Sequence, residues 1–222
     1  MRMVTLSIPV ALALCVGSAN LSAQEPGNGN FQWYVGAHGG AMVFRTPSQT
    51  RGGMPMAGGH LMIVSRRTGL MLSVEEGFGS TEVSSYTTGS GATQSVSFND
   101  IRKYSAVLMG FPLRMPIQPF IGIGVGIMHV VNPFTGSDAA SAVATELGST
   151  GFGTFLGGVQ FKLARFMAFG QYQVTTSPSI HATEDGGGVA TGSLLAGPTH
   201  TFSAGLRIGL GGARERTQSG GY

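Results

Sequence analysis

One stretch, PFIGIGVGIMHVV at residues 119–131, restricts the possible folds of this chain more than any other. With the two-residue period of a β-strand, its isoleucines and Val125 lie on one face, and Gly122, Gly124 and Gly126 lie on the other. A soluble antiparallel sheet would carry polar residues on that second face, and glycine does not solvate it. Two interpretations remain open at this stretch. It is either a strand of a tight membrane barrel, with branched side chains in lipid, or a fully buried strand of a soluble α/β protein.

The composition leaves little charged surface for contact with water. Charged residues make up 10% of the 222 residues, against roughly 25% in an ordinary soluble domain. The 37 glycines are well above the usual ~7%, and the length suits one domain. The net charge of +3 rests on few basic residues, whereas nucleic-acid binding needs a dense Lys/Arg patch. We therefore expect no nucleic-acid partner.

Residues 1–23 have the features of a secretory signal peptide. Arg2 supplies the positive start, residues 8–16 (IPVALALCV) the apolar core, and residues 21–23 (LSA) a small-residue cleavage site. We expect residues 24–222 to form a single barrel domain with a short tail after about residue 211. The apolar run is too short for a spanning helix, which needs about 20 apolar residues. Cys15 lies in the leader, so we expect neither a lipid anchor nor a disulfide in the mature protein.

Eight strand-like segments follow, and the connections between them alternate between long and short. The segments cover residues 31–44, 57–64, 70–78, 101–111, 119–131, 153–161, 166–175 and 199–210. The alternation is typical of an even-stranded membrane barrel with brief periplasmic turns and extended external loops. A soluble sandwich or a lipocalin can also have eight strands, but neither requires every second connection to be long. We predict an all-β fold, an eight-stranded antiparallel up-and-down transmembrane β-barrel.

Charged and aromatic residues are distributed as such a barrel requires. The short turns and the tail carry basic residues: Arg66, Arg67, Arg114, Lys162, Arg165, Arg214 and Arg216. The long loops carry acidic residues: Glu82, Asp100, Asp138, Glu146, Glu184 and Asp185. Aromatic residues cluster near strand ends, where girdles lie at the bilayer interfaces, although aromatics are also simply common in strands. They are Trp33, Tyr34, Phe44, Phe78, Tyr104, Phe111, Phe120, Phe155, Phe161, Phe166 and Tyr172.

One long loop contains a helix signal. Residues 137–147 (SDAASAVATEL) combine a capping Ser137, an aspartate in the first turn and an alanine-rich body, and Gly148 follows as a stop. The pattern predicts a short helix in that loop.

Several segments, in this order, resemble the small eight-stranded outer-membrane barrels of the OmpA/OmpX type. They are WYVGAHGG (33–40), MGFP (109–112), PFIGIGVG (119–126), FLGGVQF (155–161) and QYQV (171–174). The resemblance implies an integral protein of the bacterial outer membrane, exported through the periplasm and surrounded by outer-membrane lipids. We expect a monomer, with no second, cell-wall-binding domain.

The same resemblance implies an insertion signal in the last strand. Family members end in a pattern of polar, any, Gly, any, any, apolar, any, apolar, which the barrel-insertion machinery recognises. Ser203, Gly205, Ile208 and Leu210 match it. A twelve-residue tail follows here, where many relatives stop on a terminal Phe.

Alternation also assigns side chains to the two faces of the barrel. The residues predicted to face lipid are Val35, Ala37, Ala41, Val43, Tyr172, Val174, Phe202, Leu206, Ile208 and Leu210. Those predicted to face the interior are His38, Gln171, Gln173 and Arg207, together with Glu75 and Gln160. Because an unpaired buried charge is costly, we predict that Arg207 pairs with Glu75 or with interior glutamines. His60 and His129 are expected to be strand residues near the wall.

Catalytic and metal chemistry find little support. A nucleophilic serine needs a histidine base and an orienting carboxylate, and one loop holds loose candidates: Ser177, Ser179, His181, Glu184 and Asp185. Their spacing does not resemble that of lipid A deacylases or palmitoyltransferases. The five histidines, at positions 38, 60, 129, 181 and 200, are scattered without paired metal-ligand spacing. We predict no catalytic, cofactor-binding or metal-binding residue and no cofactor.

Two functions remain open at this stage. The first is a structural surface protein, a filled barrel that presents four external loops. The second is a narrow conduit for small solutes, and a lipid A-modifying enzyme is a less supported third. The interior of an eight-stranded barrel is only just wide enough for side chains, which favours the first, whereas the glycines on the inner face leave space and favour the second.

Overall fold

The computed structural model describes residues 31–48, 51–79, 81–113, 116–136, 138–163, 166–176, 180–183, 189–192 and 194–213. The predicted signal peptide, residues 1–23, lies outside these residues, as do residues 214–222 of the predicted tail. The elements are β1 (Phe31–Phe44), β2 (Gly52–Ser65), β3 (Thr68–Gly77), β4 (Glu82–Thr87), β5 (Thr93–Phe98), β6 (Asp100–Gly110), β7 (Ile117–Val131), α1 (Asp138–Leu147), β8 (Ser149–Leu163), β9 (Phe166–Thr175), β10 (Ile180–Thr183), β11 (Val189–Gly192) and β12 (Thr199–Ala213).

Eight of the strands form a closed antiparallel barrel. Their order around the barrel is β1-β12-β9-β8-β7-β6-β3-β2, and β1 closes the sheet by pairing with both β12 and β2. Every barrel pairing is antiparallel. The predicted fold class is therefore confirmed. We call the end with the connections β1–β2, β3–β6, β7–β8 and β9–β12 the long-loop end and the opposite end the short-turn end.

Two strand starts differ from the sequence prediction by four or more residues. β2 begins at Gly52 rather than at residue 57, and β8 begins at Ser149 rather than at residue 153. Proline is uncommon inside a sheet because it has no N–H to donate. Pro55 is tolerated in β2 because it lies one residue beyond the last β2–β3 pair, Met56 with Gly77, so no residue of that ladder needs an N–H from it. Its carbonyl accepts a hydrogen bond from Phe78 N at 3.0 Å. The first long connection is therefore shorter than predicted.

The long connections contain more structure than the sequence indicated. The predicted helix is confirmed as α1. The segments expected to be polar loops instead contribute a second, four-stranded sheet in the order β10-β11-β4-β5. In β4 and β5, Tyr86, Val96 and Phe98 alternate with polar residues and are buried. This alternation was the signal for the sheet, but the Ser/Thr/Gly-rich composition masked it.

The outer wall of the barrel is apolar. Eight of the ten predicted lipid-facing residues are exposed, and the other two, Val43 and Val174, are half-buried. On β7, Ile121, Ile123, Val125 and Ile127 are 54–67% exposed, and the apolar side chains on this face continue down to Ile117. From Ile117 to Ile127 the strand rises ten times by roughly 3.3 Å, and at a tilt of about 45° this spans about 23 Å, which matches the apolar band of a membrane barrel.

The aromatic residues do not all form girdles. Phe44, Phe111 and Phe120 are buried inside the barrel, and Tyr34 packs against the buried cluster at the short-turn end. Each of them is in phase with inward neighbours; Phe120, for example, shares the face of Gly122. The other predicted girdle aromatics are exposed: Trp33, Phe78, Tyr104, Phe155, Phe161, Phe166 and Tyr172. No helix within the described ranges is long and apolar enough to cross a bilayer.

Three layers of side chains occupy the interior. The long-loop cluster combines barrel residues such as Met42, Met54, Met128 and Phe152 with residues from β4, β5, β11 and α1. The short-turn cluster contains Met62, Met71, Val107, Met109, Phe111, Phe120, Leu156 and Phe169. Between these two clusters lie buried polar side chains, which we call the polar layer: His38, His60, Ser73, Glu75, Lys103, Ser105, Thr154, Gln160, Gln171, Gln173, Thr201, Ser203 and Arg207.

Candidate functional site

The polar layer contains a buried carboxylate with two basic neighbours. Glu75 on β3 is 2% exposed, and its Oε2 lies 2.8 Å from Nζ of Lys103 on β6. Lys103 Nζ also donates to Thr201 Oγ1 at 3.0 Å, and His38 Nε2 lies 3.2 Å from Glu75 Oε1. The prediction that Glu75 faces the interior is confirmed.

Arg207 is held at another part of the same layer. Its Nη1 donates to Gln160 Oε1 and its Nε donates to His60 Nε2 at 2.9 Å. The guanidinium carbon lies 3.9 Å from the ring centroid of Phe169 and 5.2 Å from that of Phe120, which adds cation–π attraction. The prediction that Arg207 pairs with an interior glutamine is confirmed, and the glutamine is Gln160.

Two histidines connect Arg207 to Glu75. His60 Nδ1 lies 3.4 Å from His38 Nδ1, so contacts run from Arg207 through His60 and His38 to Glu75. The expectation that His60 lies near the wall is wrong, because this residue is 5% exposed and faces the interior. The alternation of β2 explains this orientation, since His60 is in phase with the buried Met62.

Glycines make room for both imidazoles. His60 is paired with Gly36 across β1 and β2, and His38 is paired with Gly58. A Cβ at Gly36 would lie 2.5 Å from His60 Nε2, and a Cβ at Gly58 would lie 2.7 Å from His38 Nε2. Each ring therefore occupies the place that a side chain on its partner residue would fill.

Lys103 is a charged interior residue that the sequence analysis did not assign. It follows Arg102, and two consecutive basic residues on a strand must point to opposite faces. Tyr104 and Leu108 are exposed, so an outward assignment of these two residues would have placed Lys103 inside.

The glycine face of β7 is packed against neighbouring groups. A Cβ at Gly122 would lie 2.7 Å from Val107 Cγ1 and 2.9 Å from Met109 Sδ. A Cβ at Gly124 would overlap the carbonyl oxygen of Ala106, and one at Gly126 would overlap the ring of Phe152. These glycines permit close approach of strands and side chains.

The outer wall carries polar side chains towards the long-loop end. Arg102 Nη2 donates to Glu76 Oε1 at 2.8 Å in a half-exposed ion pair. On the next strands, His129 and Ser149 are paired and share a hydrogen bond, as expected of a histidine near the wall. These residues mark the upper edge of the apolar band on this side.

The candidate catalytic loop is described only in part. Ser177, Ser179, Glu184 and Asp185 lie outside the described residues, and of His181 only the backbone, in β10, is described. His200 lies on the outer wall, where its Nδ1 shares a hydrogen bond with the Tyr172 hydroxyl at 2.6 Å. Within the described part of the chain, no three His, Cys, Asp or Glu side chains are grouped to hold a metal ion.

The closed sheet, the apolar outer band and the polar layer define a small transmembrane β-barrel. Neisserial surface protein A (NspA) has a similar structure, with a TM-score of 0.52 at 11% identity over 79% of this chain and 96% of that chain. The outer membrane protein OprG from Pseudomonas aeruginosa matches with a TM-score of 0.48 at 11% identity, over 81% of this chain and 98% of that chain. The similarity to NspA confirms the fold implied by the OmpA/OmpX-type resemblance. No protein family and no curated protein matches the sequence itself.

Proposed function

We propose that this chain is an integral protein of the bacterial outer membrane with a structural and surface role. Its barrel is filled by side chains and presents four long connections outside the cell. The observation that carries the proposal is the stack of two apolar clusters and a polar layer inside the barrel. An eight-stranded barrel has little room beyond such side chains.

The assignment of the long-loop end to the cell exterior rests on charge and architecture. Short turns face the periplasm in barrels of this kind. Here the β2–β3 turn carries the exposed Arg66 and Arg67, and the exposed Lys162 lies at the end of β8. The long-loop end carries Asp100 and Glu146. The other basic residues of the predicted short turns and tail, Arg114, Arg165, Arg214 and Arg216, lie outside the described residues.

The fold similarity and the apolar band support residence in the outer membrane, reached by export through the periplasm. In that setting we propose that outer-membrane lipids surround the β7 isoleucines. We also propose that the insertion machinery recognises Ser203, Gly205, Ile208 and Leu210. Ser203 is buried, whereas Ile208 and Leu210 are 44% and 56% exposed, so the two halves of the motif lie on opposite faces of β12.

Cell fractionation tests the membrane assignment. Expressed with its leader, the protein should be recovered in the outer-membrane fraction and should require detergent for extraction. An unboiled sample should migrate differently from a boiled one in a denaturing gel, because a closed barrel resists detergent unfolding. Recovery in the soluble periplasmic fraction without detergent would contradict the proposal.

Planar-bilayer recordings test the filled interior against the conduit alternative. The purified barrel should give no stable unitary openings. Regular openings that disappear when Gly122 is replaced by a bulky residue would support the conduit, since a side chain there points at Val107 and Met109.

We propose no catalytic activity, and the lipid A of expressing cells tests this. Mass spectrometry should show the same acyl chains with and without the protein. Loss or gain of one acyl chain would overturn this part of the proposal.

A further inference from the structure

We propose that His38 and His60 form a neutral, one-directional hydrogen-bond relay from Arg207 to Glu75, and that this relay is an acid-sensitive lock on the packing of the barrel interior. The proposed relay lies entirely in the barrel interior. It holds or fails independently of whether the barrel conducts and of what the long connections contact.

The direction of the relay follows from its two ends. A guanidinium can only donate hydrogen bonds, so His60 must accept from Arg207 through Nε2. In a neutral imidazole the proton then lies on Nδ1, which points at His38 Nδ1, 3.4 Å away. His38 accepts there and carries its own proton on Nε2, which donates to Glu75 Oε1 at 3.2 Å. Donors and acceptors alternate without conflict in this arrangement.

The rings have little freedom to leave this arrangement. Gly36 and Gly58 provide the space in which His60 and His38 lie. The edge of Phe169 also meets both imidazoles, with ring centroids 5.3 Å from His60 and 6.1 Å from His38. The geometry therefore holds one pair of tautomers.

A second proton on either ring breaks the alternation. An imidazolium has an N–H at both nitrogens. On His38 the new N–H would face the N–H of His60, and on His60 it would face the N–H of Arg207. A relay built for two neutral rings has no acceptor for the added proton.

The surrounding charges also disfavour a second proton on either ring. In the described part of the interior, Glu75 on β3 contacts His38, and Arg207 on β12 contacts His60. The other titratable and charged groups adjoin these two: Lys103 on β6 pairs with Glu75, and Tyr34 on β1 lies near Arg207. These groups already include two cations, Lys103 and Arg207, and one carboxylate. An imidazolium would add a third positive charge to a layer of buried side chains. Protonation should therefore separate the two rings and loosen the packing that connects β1, β2, β3 and β12.

The tautomers are directly measurable. Nitrogen NMR of the ¹⁵N-histidine-labelled barrel in detergent should show His60 protonated at Nδ1 and His38 at Nε2 at neutral pH. The signals are assigned with two variants, since His38→Gln removes the signals of His38 and His60→Gln removes those of His60. The relay is wrong if His60 carries its proton on Nε2 or if either ring is an imidazolium at neutral pH.

The acid response is tested by heat modifiability at pH 7.5 and pH 5.0, where most carboxylates stay ionised. The melting midpoint of the wild-type barrel should fall by several degrees at pH 5.0. In the double variant His38→Gln/His60→Gln, whose amides donate and accept hydrogen bonds but do not titrate, the midpoint should fall by at most half as much. In the control His129→Gln/His200→Gln, on the outer wall, the midpoint should fall as much as in the wild type.

If the glutamine variant does not fold, a second variant tests the acid response. The three atoms nearest to a Cβ at Gly36 belong to the side chains of His60 and Arg207, so Gly36→Ala should displace the His60 ring and reduce the acid response. Gly39→Ala, whose nearest contact would be 3.6 Å, should leave the response unchanged. An equal fall in midpoint in wild type, relay variants and controls would overturn the acid-sensitive lock.

Discussion

Glu75 and Glu76 are consecutive residues on β3 with opposite environments. Glu75 is 2% exposed in its ion pair with Lys103, whereas the Glu76 side chain is 37% exposed in its pair with Arg102. The partners are also consecutive residues, on β6. The alternation of the strand thus places one ion pair in the polar layer and the other on the outer wall.

The two pairs should differ strongly in their contribution to stability. We expect Glu75→Gln to lower the free energy of unfolding by about 3–5 kcal/mol, because it leaves the Lys103 ammonium buried without its counter-charge. Glu76→Gln should cost about 0–1 kcal/mol, as for other exposed pairs. Urea unfolding of the folded barrel in lipid vesicles measures both. Equal costs for the two variants would show that the interior pair is solvated.

At the scale of the elements, the long connections assemble over the barrel. Ser84 Oγ on β4 donates to the Leu194 carbonyl at 2.7 Å, and Ala196 N donates to the Arg45 carbonyl at 2.8 Å. Ser97 on β5 exchanges backbone hydrogen bonds with Phe134. These contacts tie segments from all four connections together above the long-loop cluster.

Phe98 should be essential to that assembly. It is 1% exposed, and its ring centroid lies 6.2 Å from that of Phe44. We expect Phe98→Ala to cost about 3–5 kcal/mol, as for other buried phenylalanines, and to make the connections sensitive to protease while the barrel remains heat-modifiable. Phe134→Ala is the control, since this side chain is 66% exposed. Protease resistance of Phe98→Ala equal to that of the control would show that the sheet holds without this contact.

The last strand should carry the information for insertion. We expect Ile208→Asn/Leu210→Asn to reduce the yield of heat-modifiable barrel several-fold in cells, because polar side chains replace the apolar half of the motif. Removal of residues 214–222 should leave the yield unchanged. If instead the truncation reduces the yield and the double substitution does not, the signal lies in the tail.

At the scale of the whole molecule, the bilayer replaces water as the solvent of the outer surface. Ile117 and Ile123 have similar exposure, 61% and 66%, but Ile117 begins β7 at the short-turn end and Ile123 lies six residues further along the strand. The two positions therefore differ in their depth in the membrane.

A charge should therefore have different costs at these positions. Ile123→Lys should destabilise the barrel by about 2–4 kcal/mol and Ile117→Lys by about 0–1 kcal/mol, because the cost of a lipid-facing lysine falls towards the interface. Urea unfolding in lipid vesicles measures the change in the free energy of unfolding for both variants. A cost at Ile117 equal to that at Ile123 would place the apolar band elsewhere on the wall.

The two-residue period of the strands, together with the alternation of long and short connections, predicted the barrel from the sequence. It assigned the outward face of β7, the ten lipid-facing residues and the inward positions of His38, Glu75, Gln160 and Arg207. The side of the sheet to which a side chain points is a local property, since each strand must present one side to hydrocarbon and the other to the interior. The alternation of long and short connections then indicated that these strands form an up-and-down barrel.

Only the tertiary structure decided which inward groups meet. His60 and Arg207 are 147 residues apart, and their contact depends on the register between β12, β1 and β2, which no local pattern specifies. The same holds for Lys103 with Glu75 and for the sheet formed by β4, β5, β10 and β11, whose strands come from two different connections. In each case a chain of strand pairings fixes which side chains share the interior, and the long-range geometry of those pairings is a property of the closed barrel.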